Sequence, residues 1–125
     1  MGIFFKRRTE NSNSNLLYDK NEFDIDGIVL RRYKGTSTSI IVPRGVKMIS
    51  NIDSPICDQT IQAIFIPRTV KVIAESALGY CLNVYYEGSK QEWENIEIGK
   101  YNFDFGIPTV FRYNCDSCYW DMKRH

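Results

Sequence analysis

One stretch in the middle of the chain decides the fold, and it runs Ile61-Gln62-Ala63-Ile64-Phe65-Ile66-Pro67-Arg68-Thr69-Val70-Lys71-Val72-Ile73. It is a short β-branched run that is stopped by a proline, after which two apolar residues stand three apart. The same phrase occurs 24 positions earlier, in residues 40–49. One shift of 24 superposes Pro43 on Pro67, and it also superposes Cys57 on Cys81. A period in this range is typical of a solenoid whose coils bury a face against one another.

Alternation within each strand predicts which side chains point towards the core. The inward set is Ile40, Val42, Ile64, Ile66, Val84 and Tyr86. Apolar pairs three apart return the chain to the core after each strand, and they are Val46/Ile49, Val70/Ile73 and Trp93/Ile96. The third repeat is degenerate, because Glu87 replaces the proline and the loop before the strand is short. Only three positions separate Cys81 from Val84, against seven between Cys57 and Ile64, which leaves the register of that strand open.

The two ends of the repeats carry their own signals. Residues 23–35 predict a hairpin, because Asp-Gly at 26–27 stands between alternating apolar residues and a tight turn needs positive φ. We expect this hairpin to cap the first coil, since a solenoid end would otherwise expose its core. Short helical or 3-10 turns are expected at 74–78 and 92–96, and a last strand at 110–113. The prediction is a mainly β, short solenoid at 21–114, between a flexible N-terminal segment at 1–20 and a C-terminal tail at 115–125.

Length and charge bound the classes of function. A chain of 125 residues is one domain by length, and its net charge of +1 argues against an extended nucleic-acid footprint. No apolar run approaches the roughly 20 residues that span a bilayer, so no stable membrane insertion is expected. The N-terminus places its cations after the apolar residues, whereas a secretory signal has the reverse order. These features predict a cytoplasmic protein.

At the repeated residues the chain resembles the BspA-type leucine-rich repeats of bacteria and some protists. Coils of that family consist of an apolar strand, Ile-Pro, a Val and an Ile three apart, and a small-aromatic-Cys segment, a pattern similar to residues 66–81 and 42–57. Residues 84–96 look like the closing segment of the family and residues 26–35 like its opening segment, so the resemblance covers about residues 23–114. It implies a leucine-rich-repeat fold, recognition of other molecules, usually proteins, and no catalytic activity. It also makes the cell surface the alternative location, although this chain has few coils.

Residues suited to catalysis or metal binding are scarce. The single histidine, His125, is the last residue, which leaves no Ser/His or Cys/His pair, and no glycine-rich phosphate loop is present. Cys115 and Cys118 form a Cys-x-x-Cys pair, but two thiolates and a terminal histidine fall short of a four-ligand zinc site. Cys57 and Cys81 are interpreted as small buried hydrophobes, with a disulfide or half a metal site as the alternative. We therefore expect no enzyme activity, no cofactor and no metal.

The sharper clue is the set of side chains that the strands direct outward, Ile41, Phe65 and Tyr85. Solvated faces of repeat proteins prefer polar residues at such places, and an exposed apolar patch marks an interaction site. Three interpretations stay open: a face that binds another protein, a face covered by the chain's own tail through Cys118, Tyr119 and Trp120, or a homodimer contact. The predicted function is non-catalytic protein binding through the strand face. The alternatives are a self-associating structural module and, more remotely, a Cys-x-x-Cys metal or redox protein.

A second repeated column is basic and lies at the turn after each strand. It consists of Arg44 and Arg68, together with Lys47 and Lys71. Such a column could meet an acidic partner, but repeated charge on a turn is more often a matter of solubility. We therefore place no binding site there.

Overall fold

The structure is a computed structural model that describes residues 16–50, 61–78, 81–103 and 108–115. Its regular elements in those ranges are β1 (Phe23–Asp26), β2 (Val29–Tyr33), β3 (Ser39–Ile41), β4 (Met48–Ile49), β5 (Ala63–Ile66), β6 (Val72–Ile73), β7 (Asn83–Tyr86), α1 (Lys90–Glu94), β8 (Glu97–Ile98) and β9 (Val110–Arg112). Strands therefore dominate and the helix is short, which confirms the prediction of a mainly β fold.

The strands form two sheets. The five-stranded sheet has the order β1-β2-β4-β6-β8, and the four-stranded sheet has the order β3-β5-β7-β9. From β3 onwards, consecutive strands alternate between the two sheets, and every pairing is parallel except that of β1 with β2. Between any strand and the next strand of the same sheet, from β2 onwards, the chain therefore forms one strand of the other sheet.

The register follows the sequence repeat. Ile40 pairs with Ile64 and Met48 pairs with Val72, both at the shift of 24 residues. In the degenerate third repeat Ile64 pairs with Val84, so the shorter loop before this strand leaves the inward and outward positions unchanged. The register that the sequence left open is thus the one that keeps apolar residues opposite one another.

The main core takes side chains from both sheets. Its members include all six predicted inward residues of the strands and all three apolar pairs, and it extends from Phe23 in β1 to Ile96 after α1. Val46, Ile49, Val70 and Ile73 are each fully buried. Burial of this kind contributes about 25 cal/mol per Å² of apolar surface, so the repeated pairs are a principal source of stability.

The predicted hairpin stands at the N-terminal end of the repeats. β1 and β2 pair antiparallel, and Gly27 in the turn between them has φ of 65°. β2 then pairs in parallel with β4, so the hairpin extends the five-stranded sheet. The rings of Phe23 and Tyr33 lie 5.5 Å apart and close this end of the core.

An aromatic cluster stands at the other end. Trp93 lies 5.1 Å from Tyr86, 6.0 Å from Phe103 and 5.5 Å from Phe111, measured between ring centroids. Trp93 is carried by α1, which covers part of the expected helical turn at 92–96 and begins two residues earlier. Residues 74–78 instead form a turn without a helix, closed by an Ala77 N–H bond to Ala74 O of 3.1 Å.

Candidate functional site

The predicted outward residues form one ladder on the outer face of the four-stranded sheet. Ile41 pairs with Phe65, and Phe65 pairs with Tyr85. Arg112 of β9 continues the ladder beside Tyr85. Their neighbours in each strand belong to the main core, and because strand side chains alternate in direction, this ladder lies on the opposite face. The sequence was therefore correct about which residues come together.

The expectation of an exposed patch is wrong for two of these three residues. Phe65 and Tyr85 are each 1% exposed, and only Ile41 is partly exposed. Together with Ala63 and Cys115 they form a second apolar cluster, separate from the main core. We call this set (Ile41, Ala63, Phe65, Tyr85 and Cys115) the outer cluster. Its side chains are packed in the chain by itself.

Cations account for part of that cover. The Arg44 guanidinium lies 5.6 Å from the centroid of the Phe65 ring, and the Arg112 guanidinium lies 5.0 Å from that of Tyr85. Arg112 is held there by a hydrogen bond of 2.9 Å from Nη1 to Asn83 Oδ1. Guanidinium groups over aromatic faces are favourable, so both arginines add to the packing of the outer cluster.

Cys115 reaches the outer cluster through a sharp change of chain direction. Phe111 and Tyr113 pack against the main core, whereas Cys115 packs against the outer cluster. Between them Asn114 adopts a left-handed conformation with φ of 58°, which asparagine tolerates better than most residues. The Cys115 N–H then donates a 2.9 Å hydrogen bond to Tyr86 O. The sequence analysis assigned Cys115 to the tail and missed this role, for which residue type alone gives no signal.

The arginines of the predicted basic column are held by ion pairs. Arg44 Nη2 lies 2.9 Å from Glu87 Oε2, and Arg68 Nε lies 3.1 Å from Glu92 Oε2. The backbone N–H of Arg68 also donates to Glu87 Oε1 at 2.9 Å. Glu87 stands one residue beyond Tyr86, which pairs with Ile66, so it occupies the place of Pro67 in the ladder. Its carboxylate thereby connects three successive repeats.

These contacts favour the ionised form of both carboxylates. Burial would raise the pKa of Glu87, but the Arg68 N–H bond and the Arg44 guanidinium outweigh burial and lower that pKa below its ordinary value. For Glu92, the N–H of Ser89 is the main cause of a lowered pKa, and Arg68 adds to it. Ser89 and Glu92 form the capping box of α1. The two lysines of the basic column, Lys47 and Lys71, are exposed to solvent.

Cys81 has a free thiol in the structure. Cys81 is fully buried, and burial raises the pKa of its thiol to about 12, which makes it unreactive at neutral pH. Cys57, Cys118 and His125 lie outside the described residues, so the interpretation of Cys57 as a small buried hydrophobe and the Cys-x-x-Cys hypothesis stay predictions. Within the ranges that are described, no group of three His, Cys, Asp or Glu side chains could hold a metal ion.

A depression of about 400 Å³ lies at the turn after β8 and is lined by Gly99, Lys100, Tyr101 and Asn102. The buried Asn102 side chain accepts from Leu78 N–H at 2.9 Å and donates to Ala74 O at 2.8 Å. Both of its polar atoms therefore bind backbone of the preceding repeat. This side chain has a structural role that the sequence analysis missed.

Comparisons with known proteins add no relative: no family model, no curated protein and no solved structure matches the chain. In the part of the chain that the structure describes, no helix has the length and apolar character needed to cross a bilayer.

Proposed function

We propose that the chain is a short solenoid of the leucine-rich-repeat type that acts as a non-catalytic protein-binding module through the outer face of its four-stranded sheet. The solenoid part of the proposal is supported by the parallel pairing at a shift of 24 residues and by the alternation of strands between two sheets. In a repeat protein of this kind each coil packs on its neighbours, and an open strand surface is left for recognition.

One observation carries the binding part of the proposal, namely the outer cluster itself. A sheet face that only meets water is expected to carry polar side chains, whereas this face stacks Ile41, Phe65 and Tyr85 on consecutive strands. Arg44 and Arg112, which lie over the rings of this cluster, are of a residue type that protein interfaces concentrate. Ile41, the partly exposed member, gives a partner its point of access.

A catalytic role has little support. The chain has one histidine in all, and the charged groups with lowered pKa, Glu87 and Glu92, are engaged in contacts between repeats. Burial makes the Cys81 thiol less acidic, the opposite of what a nucleophile requires. Binding is therefore the function that these residues favour.

Photo-crosslinking from the outer face tests the proposal. Benzoylphenylalanine placed at position 41 in the producing cell should crosslink a defined protein, which is then purified and its binding measured. The matched control is position 72, because Val72 is a partly exposed, β-branched strand residue of the other sheet. Ile41→Asp should abolish binding of that protein and Val72→Asp should leave it intact. Equal crosslinking from both positions, or capture of only a second copy of this chain, would contradict the proposal.

A further inference from the structure

The last repeat leaves inward-facing side chains uncovered. In the five-stranded sheet, paired positions on successive strands form one row of side chains, Leu30, Ile49, Ile73 and Ile98. The first three are at most 1% exposed, whereas Ile98 is 36% exposed. The inward row of the four-stranded sheet ends at Phe111, which is only partly buried. Each row therefore stops at an open end.

The opposite end of the same rows is covered. Leu30 is 1% exposed, and Ile40 on the first strand of the four-stranded sheet is 3% exposed. Terminal repeats of a stack normally turn a polar surface outward. At the last repeat two more large apolar side chains are exposed instead, Tyr101 at 60% and Val110 at 48%. We call this set (Ile98, Tyr101, Val110 and Phe111) the end surface, and its character is that of an interaction site.

Both sheets also finish here in a strand with an open edge. β8 is the last strand of the five-stranded sheet, and β9 is the last strand of the four-stranded sheet. Glu97 and Gly99 donate their N–H groups to the preceding repeat at 3.0 and 2.8 Å, so Ile98 between them directs its own N–H and C=O away from the sheet. Val110 N–H likewise donates to the preceding repeat at 2.9 Å, which places Phe111 in the same way. Such an edge is a template for a further strand.

We propose that the end surface binds the end surface of a second copy of this chain across a two-fold axis. An axis at right angles to the sheets reverses the direction of the strands, so β8 pairs antiparallel with β8 of the second copy, and β9 pairs with β9. Ile98 and Phe111 then each lie opposite their own counterpart and exchange both backbone hydrogen bonds with it. This surface is distinct from the outer cluster, so the inference does not rest on the proposed function.

The charges along β8 favour a second copy as the occupant. Glu97 and Lys100 are both exposed and stand on either side of Ile98. Antiparallel pairing about Ile98 reverses their order in the second copy, so each Glu97 lies next to Lys100 of the other molecule. In β9 the same symmetry sets Val110 opposite Arg112 of the second copy, whose aliphatic stem can cover it. One surface therefore supplies both members of each pair, as a two-fold interface requires.

Sedimentation equilibrium on the whole chain measures the dissociation constant of the dimer. Ile98→Lys should raise it at least about tenfold, because two like charges then lie opposite each other at the axis. Ile28→Lys is the matched control and should leave it unchanged, since Ile28 is 42% exposed and lies in the hairpin turn, away from the last repeat. Circular dichroism of the dilute proteins checks that each variant is folded.

Exchange of charges tests the two-fold arrangement itself. Glu97→Lys and Lys100→Glu should each weaken self-association, because like charges then meet across the axis. An equimolar mixture of these two variants should regain the dimer, since every cation in the mixed pair again meets a carboxylate. Failure of the mixture to recover would overturn the two-fold arrangement.

Other results would overturn the inference as well. They are a wild-type mass that stays monomeric up to about 1 mM, equal weakening by Ile28→Lys, and a dimer that is lost in Ile41→Asp but kept in Ile98→Lys, which would assign self-association to the outer cluster. If Ile98→Lys does not fold, amide hydrogen exchange of wild type decides the matter. The Ile98 N–H should exchange more slowly as the protein concentration rises, and a rate that is independent of concentration refutes the inference.

Discussion

Removal of the Glu87 carboxylate should loosen the contact between three repeats, and its effect can be worked out from the structure. Glu87 Oε1 accepts the Arg68 N–H at 2.9 Å, and Oε2 lies 2.9 Å from Arg44 Nη2. A hydrogen bond to a charged group contributes about 1.5 kcal/mol. The ion pair adds about 0.5 kcal/mol, because the Arg44 side chain is 49% exposed. Glu87→Ala should therefore lower the free energy of unfolding by about 2 kcal/mol.

Glu87→Gln separates the two contributions. The amide oxygen still accepts the Arg68 N–H, but the charge that strengthens this bond and attracts Arg44 is lost, so a loss of about 1 kcal/mol is expected. Urea unfolding at pH 7 measures both variants, and with a slope of about 1.5 kcal/mol per M the Ala variant should unfold about 1.3 M earlier. Arg44→Gln in a double-mutant cycle isolates the ion pair.

The pH dependence of unfolding tests whether the Glu87 carboxylate is the group that stabilises the contact. Because the pKa of Glu87 is lowered in the folded state, its contribution is fully present above the unfolded-state pKa of about 4.3 and is lost as the pH falls through the lower folded-state value. The difference in the free energy of unfolding between wild type and Glu87→Gln should therefore be complete at pH 7 and should shrink as the pH falls below about 4.3. A difference that stays constant from pH 7 down to the pH at which the protein unfolds in acid, or a Glu87→Ala variant as stable as wild type, would refute the assignment.

Three further predictions follow from burial. Phe65→Ser should lower the free energy of unfolding by about 3 kcal/mol because the ring is 1% exposed, while Ile41→Ser should cost about 1 kcal/mol; equal losses in thermal unfolding would contradict the difference in cover. Trp93→Ala should cost at least about 3 kcal/mol, since Trp93 contacts Tyr86, Phe103 and Phe111, and near-ultraviolet circular dichroism should show the loss of the aromatic cluster. In native protein at pH 8, Cys81 should resist thiol reagents until the chain unfolds, because burial raises its pKa to about 12; prompt labelling would contradict this.

Much of the fold could be predicted because the determining signals are local and repeated. The alternation in Ile40-Ile41-Val42 and Ile64-Phe65-Ile66 defines two faces of each strand, and a shift of 24 places β3 beside β5 and β4 beside β6. The Asp-Gly turn predicts the hairpin because Gly27 supplies the positive φ. The identities of the core residues follow from the same period.

The burial and the charge pairing of the candidate site could not be predicted from the repeat. Whether Phe65 is exposed depends on side chains that are remote in sequence, such as Arg44 above its ring and Cys115 beside it. The pairing of Arg44 with Glu87 joins residues 43 positions apart, so the basic column could be interpreted only as solvated charge. Neither contact has a periodic or motif signal, because each depends on how complete repeats stack.

The central claim is tested most directly by measuring how tightly the partner crosslinked from position 41 binds wild type, Ile41→Asp and Val72→Asp. The account predicts that Ile41→Asp binds at least about tenfold more weakly than wild type, while Val72→Asp binds within about twofold. Calorimetric titration of folded variants gives both values. If Ile41→Asp retains wild-type affinity, or if Val72→Asp weakens binding as much, the outer face of the four-stranded sheet is not the binding surface.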